Sequence, residues 1–196
     1  MHARTPFRSH HLRYFARNLA AHRDPRNRAV HLVATLVGFC CLVSMLARVH
    51  LGFAGLDLGA VLAIATVLYV APFEPLAAAL VGAAVLLERL VLGAHFGQVG
   101  VGPLAGLGVP LAVFLVFNLT GVATHFVFDD PIIASGSKEK LPVRLGKTAH
   151  TIAFSSVHFV GFALFALGYR PALRAQIVAA AAEQSRAWGK GLRAES

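Results

Sequence analysis

The segment His22-Arg-Asp-Pro-Arg-Asn27-Arg-Ala-Val-His31 gathers two imidazoles, an amide and a carboxylate just ahead of a long apolar run. Asp24-Pro25 reads as a helix start: the Asp24 carboxylate can accept from the first free amides, and Pro25 takes the first helical position, where its missing N–H costs nothing. His22 then lies just outside the helix. Asn27 and His31, four apart inside it, share one face. A turn at the helix start can fold His22 back toward that face, so that two imidazoles converge on one point. A second polar cluster, His125-Phe-Val-Phe-Asp129-Asp130, closes a later apolar run and again sets an imidazole and a carboxylate four apart. Imidazoles plus one carboxylate, with coordination positions left open, are the ligand set of non-haem Fe(II) oxygenases. An ionisable group in an apolar span costs a few kcal/mol, so it normally faces a partner or a cavity. A His125 that merely caps or hydrogen-bonds a neighbouring helix would satisfy the same rule.

The elements that must position these groups follow from composition. The chain of 196 residues is 57% hydrophobic and 14% charged, with a mean hydropathy of +0.66. That is too apolar for an ordinary soluble domain and implies an all-α, polytopic integral membrane helical bundle. A helix across the hydrocarbon core needs about 20 mainly apolar residues. Four or five transmembrane segments are expected: about 29–47, 58–73, 76–92, 104–128 and 151–167. Pro72 and Pro75 flank Glu74 and make the second and third a tight hairpin. The glycine-rich stretch 97–108 reads as a loop or kinked lead-in to the fourth, 131–149 as the clearest extramembrane loop, and 171–188 as an interfacial helix. The chain thus divides into a basic N-terminal arm with the first His motif (1–28), a transmembrane helical domain (29–169) and an amphipathic tail (170–196).

The net charge of +9 is carried outside the apolar runs: seven Arg precede residue 29, four basic residues lie in 138–147, and five follow Tyr169. Membrane proteins place cations this way, against anionic headgroups and on the cytoplasmic side. An integral protein of a bacterial inner membrane with a cytoplasmic N-terminus is therefore expected. Five full crossings would put the basic tail on the far side, so either one segment does not cross fully or the tail escapes the rule. No aromatic and basic interleaving accompanies the charge, which argues against nucleic acid. Cys40 and Cys41 are adjacent within an apolar run, unsuited to pairing or to metal spacing, and read as packing residues. His150 and His158, eight apart, share a broad face of the fifth span, where packing or interfacial roles outweigh a part in ligation or proton transfer. His50 and His95 fall in loops, and His2, His10 and His11 in the basic arm, all solvated or near headgroups. Glu74 is placed at the interface, and Glu88-Arg89 against external charge. Phenylalanines at helical spacing, among them Phe114, Phe117 and Phe159, suit lipid or helix packing and could line an acyl channel.

The pattern H-x4-N-x3-H leading into a span, present as His22, Asn27 and His31, is followed by a His with an acidic residue four positions on and a nearby proline. It resembles the membrane family of 2-hydroxy fatty acid dioxygenases, over roughly residues 14 to 131. The chain departs from that family in carrying Thr124 before the His and Asp129 after it. The resemblance implies an Fe(II)-dependent enzyme that uses O2 to shorten a 2-hydroxy fatty acid by one carbon, released as CO2. Iron would be held by His22, His31 and His125, with Asp129 as carboxylate ligand or orienter. Asn27 would meet the substrate carboxylate or fix His31, and Arg26 or Arg28 would attract the anionic head. Two other classes stay open: a haem-binding electron-transfer protein, and a non-catalytic lipid-binding or scaffold protein. The oligomeric state is not legible.

Overall fold

A computed structural model describes the backbone of residues 6–52, 56–98, 103–128 and 141–194, and the side chains of 10–52, 56–91, 107–128 and 154–186. Among these residues the fold is all-helical: α1 (Pro6–Ala21), α2 (Pro25–Leu46), α3 (Leu58–Val70), α4 (Pro75–Gln98), α5 (Pro103–Phe128), α6 (Leu141–Ala166) and α7 (Pro171–Ala194). Five helices, α1, α2, α4, α5 and α7, start on a proline, and α3 is capped by Asp57, whose carboxylate accepts from the Ala60 amide at 2.7 Å, as capping requires. Helix α2 packs against α5 and α6, α1 against α7, and α3 and α4 against each other and against α2 and α6.

Two apolar cores meet on α6. In one, Phe39 and Val43 of α2 close on Val70, on Ala77, Val81 and Val85 of α4, and on Val157 and Val160 of α6. In the other, Leu12 and Phe15 of α1 meet Phe159, Phe162 and Phe165 of α6 and Leu173 and Ile177 of α7. Phe15 is fully buried against Gly161, where an added Cβ would stand 2.9 Å from its ring. The N-terminal 28 residues are therefore more than a basic arm. Leu12, Phe15, Ala16 and Leu19 recur at helical spacing and bury one stripe of α1. His11 goes with them: it is 2% exposed, its ring 4.7 Å from that of Tyr69 and 5.3 Å from that of Phe73, and not solvated as expected.

Among the described residues two helical segments are long and apolar enough to cross a membrane, Pro25–Leu46 and Leu107–Phe128, each of 22 residues. The expected second span is the 13-residue α3, about 20 Å long against about 30 Å of hydrocarbon. Four or five full crossings are therefore not established. The glycine-rich stretch is less of a loop than expected, since α4 runs to Gln98 and α5 starts at Pro103. Helix α6 begins ten residues before the expected span, at Leu141. His95 falls within α4 and His150 within α6, both outside the described side chains. His50 is exposed in the link between α2 and α3.

The charges between helices pair internally. Arg89 bridges to Asp57, and Ser44 donates to Glu88. Glu74 is not interfacial but fully buried. Arg170, in the link between α6 and α7, places Nη1 3.3 Å from its carboxylate and donates to the Phe73 carbonyl at 2.6 Å. Arg170 holds a φ of +49°, a left-handed conformation that a non-glycine residue adopts only when its surroundings demand it. The guanidinium thus pins the α6–α7 link to the α3–α4 link. Removing one partner of a buried pair costs about 3–5 kcal/mol; with Arg170 partly exposed, Arg170→Met is expected to lose about 3 kcal/mol in denaturant unfolding. The double variant Arg170→Met/Glu74→Gln recovers part of that loss, and additivity of the two single changes would contradict the coupling.

Candidate metal centre

The corner between α1 and α2 places the first ligand. At the end of α1 the Asn18 carbonyl accepts the His22 amide at 3.1 Å and the His22 Nδ1–H at 2.7 Å, so backbone and ring are fixed by one acceptor. Asp24 caps α2 as expected, accepting the Arg26 amide at 2.7 Å. Arg28 reaches back from the first turn and donates to the carbonyls of His22 at 3.0 Å and Arg23 at 2.8 Å. The chain therefore reverses, and the His22 ring comes over α2.

His31 repeats the arrangement one turn inside the helix, its Nδ1–H donating to the Asn27 carbonyl at 3.1 Å. A Nδ1–H held by a carbonyl sets the tautomer in both rings and turns Nε2, with its lone pair, outward. His125, in the last turn of α5, completes the group. Ring centroids lie 4.3 Å apart for His22 and His31, 4.6 Å for His22 and His125, and 4.9 Å for His31 and His125. The candidate ligand atoms all fall within 4.8 Å of one another. His22 Nε2 is buried and has no hydrogen-bond partner. Buried polar atoms are normally satisfied, and a lone pair left over in a ring oriented through its other nitrogen is the signature of a ligand position. The three imidazoles fit a metal ion: such a set leaves further coordination positions open.

Burial shapes the electrostatics. Desolvation, reinforced by the neighbouring His31, pushes the His22 pKa down to about 3. The ring is therefore neutral across the physiological range, the form that binds a metal. The Phe159 ring of α6 packs on His22 at 4.8 Å and on His31 at 5.3 Å. Beside the triad a cavity of about 220 Å³ runs between α2 and α5, lined by Gly38, Phe39, Phe114, Asn118, Gly121 and Ser155 among others. Its lining is chiefly aromatic and aliphatic, with Asn18, Thr35, Asn118 and Ser155 as polar members besides the histidines.

Of the residues singled out from sequence, the structure brings together His22, His31 and His125. Asp129 lies outside the described residues. Asn27 is fully buried and orients His31 through its main-chain carbonyl. Arg26 forms an ion pair with Asp24 at 2.9 Å and lies 4.8 Å over the Phe128 ring. Neither Arg26 nor Arg28 lines the cavity at the triad. His158 is 1% exposed and accepts from the Asn18 amide at 2.6 Å, a packed residue as read from sequence. Asn18 itself was not foreseen. Its carbonyl aims His22 and its side chain ties the same helix to α6, yet nothing in its local spacing marks it. Nor was Gly121 foreseen, where an added Cβ would stand 3.4 Å from His31 Nε2. Comparison of the chain with protein-family models, curated proteins and solved structures returns no match.

Two outcomes follow from this geometry. Gly121→Ala adds helix propensity worth up to about 1 kcal/mol at a spot that tolerates a methyl group, while crowding the face of His31 that a metal must approach. Thermal unfolding of the metal-free variant should match or exceed the parent, and metal affinity by competition with a chelator should fall by about tenfold, or about 1.4 kcal/mol. An unchanged affinity would show that Gly121 does not border the coordination sphere. Separately, unfolding frees His22 to bind a proton near its ordinary pKa of 6.5, whereas the folded ring resists down to about 3. The metal-free protein should thus lose stability progressively as pH drops from about 6.5 toward 3, by on the order of a few kcal/mol. Chemical unfolding at pH 7 and pH 5 reads this, and His22→Gln should flatten the dependence.

Proposed function

We propose that the protein is a membrane-embedded, Fe(II)-dependent dioxygenase of 2-hydroxy fatty acids. The observation that carries the reading is the convergence of three imidazoles beside a largely apolar cavity. Membrane placement is supported by the two helices of sufficient length and by the outward face of α5, where Leu115, Val116, Leu119, Phe126 and Val127 are between 49% and 71% exposed. A contiguous apolar surface of that kind suits lipid better than water.

His22, His31 and His125 would hold the Fe(II), which would supply Lewis acidity toward the hydroxyl and carboxylate oxygens of the substrate and redox chemistry with O2. In the overall reaction the C1–C2 bond breaks and C1 leaves as CO2. C2 is oxidised to a new carboxyl, O2 is the oxidant, and the remaining oxygen departs as water. The chain's own part is positional. The carbonyls of Asn18 and Asn27 hold two imidazoles in one tautomer. Phe159 covers them from α6, and Phe39, Phe114 and Phe117 offer an apolar wall to an acyl chain. The haem alternative is not favoured by this site. Two axial imidazoles face each other across a flat macrocycle, whereas these rings sit with centroids 4.3–4.9 Å apart beside a cavity of about 220 Å³.

The test is elemental analysis of detergent-purified full-length protein, followed by incubation with 2-hydroxyhexadecanoic acid under air and detection of the chain shortened by one carbon. The expected result is about one iron per chain, consistent with a single three-histidine site, no haem absorbance, and formation of the shortened acid. His31→Ala should abolish both iron and product, and Gly121→Ala should reduce both with the fold intact. Equal metal content in the parent, His22→Ala and His31→Ala would remove the basis of the reading.

A further inference from the structure

A second cavity, of about 390 Å³, opens between α1, α7 and the end of α6. Its volume falls within the roughly 300–1,000 Å³ usual for ligand pockets. The inner wall is apolar, formed by Leu19, Phe162, Phe165, Ile177 and Ala181, and three arginines, Arg23, Arg28 and Arg174, line the same space. Arg28 Nη1 is held on the carbonyls of His22 and Arg23, and Arg174 Nη1 lies 3.4 Å from the Phe165 carbonyl. Each guanidinium has five N–H donors, so most remain for a ligand.

Among the described residues no carboxylate balances this charge. Arg26, Arg89 and Arg170 each pair with a carboxylate, of Asp24, Asp57 and Glu74 respectively. Among the described residues Arg23, Arg28 and Arg174 have no such partner, and no carboxylate lines the cavity. Three cations around one apolar pocket repel one another unless an anion joins them. Guanidinium groups match phosphate oxygens in geometry as well as charge. Arg23 and Arg28 also flank Pro25, where the apolar run of α2 begins, which is the level of lipid headgroups for a helix that enters a bilayer there.

We propose that this cavity is a binding site for an anionic phospholipid, with one acyl chain among the α1, α6 and α7 side chains and the phosphate-bearing head on Arg23, Arg28 and Arg174. It rests on the membrane placement above and shares Arg28 with the corner that positions His22. It also gives Arg28 a lipid anion to hold, at a position apart from the one expected beside the histidines.

The test is native mass spectrometry of the full chain in neutral detergent with added phosphatidylglycerol, phosphatidylcholine or inorganic phosphate. One equivalent of phosphatidylglycerol should be retained in preference to phosphatidylcholine. Arg23→Gln and Arg174→Gln, both at exposed positions, should each weaken retention about fivefold, the effect of one cation at an anionic surface. Ala182→Phe, which fills the cavity and removes no charge, should weaken it comparably. Equal retention of the two lipids, or indifference to the Arg variants, would overturn the proposal. Displacement of phosphatidylglycerol by equimolar inorganic phosphate would overturn it as well, by leaving the apolar wall without a part, and so would full retention in Ala182→Phe. Iron content in the same samples reads the metal centre separately, and release of the chain from vesicles by an alkaline wash would remove the membrane placement on which the site depends.

Discussion

The reversal of the chain between α1 and α2 is the constraint on which the rest of the site depends. His22 and His31 are nine residues apart, and in one continuous helix they would be displaced along its axis by more than two turns. They meet because α1 ends at Ala21 and α2 starts at Pro25. Five hydrogen bonds secure that corner: the Asn18 carbonyl takes both the amide and the ring of His22, Asp24 caps the new helix, and Arg28 closes over two carbonyls left at the turn. Each is worth about 1 kcal/mol singly, and together they decide where an imidazole points.

Helix α6 provides the surface against which the corner is pressed. Phe159 packs on the histidines, Phe162 and Phe165 join α1 to α7, and Val157 and Val160 face the α2–α4 core. His158 sits between these groups and receives the Asn18 side chain. Asn18 thus couples the orientation of the first ligand to the docking of α1 on α6. The His22 and His31 rings are each held by a main-chain carbonyl, with Phe159 packed on both and the Thr124 hydroxyl 3.5 Å from His31 Nδ1.

Much of this was legible in the chain. The Asp24-Pro25 signal placed the start of α2, and with it the side of the helix on which Asn27 and His31 fall. The apolar runs located α3 and α5 to within a few residues and the start of α4, though not its end at Gln98, and the tail after Pro171 is a helix as read. What escaped was set by tertiary contacts. The stripe of α1 is short and interrupted by His and Arg, so it resembles a charged arm until α6 and α7 are present to cover it. His11 and Glu74 were assigned to solvent or interface on polarity, yet aromatic partners and Arg170 accommodate them inside. Arg28 was expected at the substrate because of its place in the motif. Its position in the first turn instead turns the guanidinium back over the corner and toward another cavity. The glycines of 97–108 suggested a break, although much of that stretch is helical.

The third imidazole comes from a helix three elements further along, and α2 and α5 both carry spans long enough for a bilayer. An ion gripped there would act as a clasp between them. Ligation energy becomes folding energy wherever the coordinating groups are scattered in the unstructured chain, so the tightness with which these helices close on each other would track the supply of the ion during biogenesis. Chains made in its absence would keep α5 docked by side-chain packing alone, a looser state open to turnover by membrane proteases.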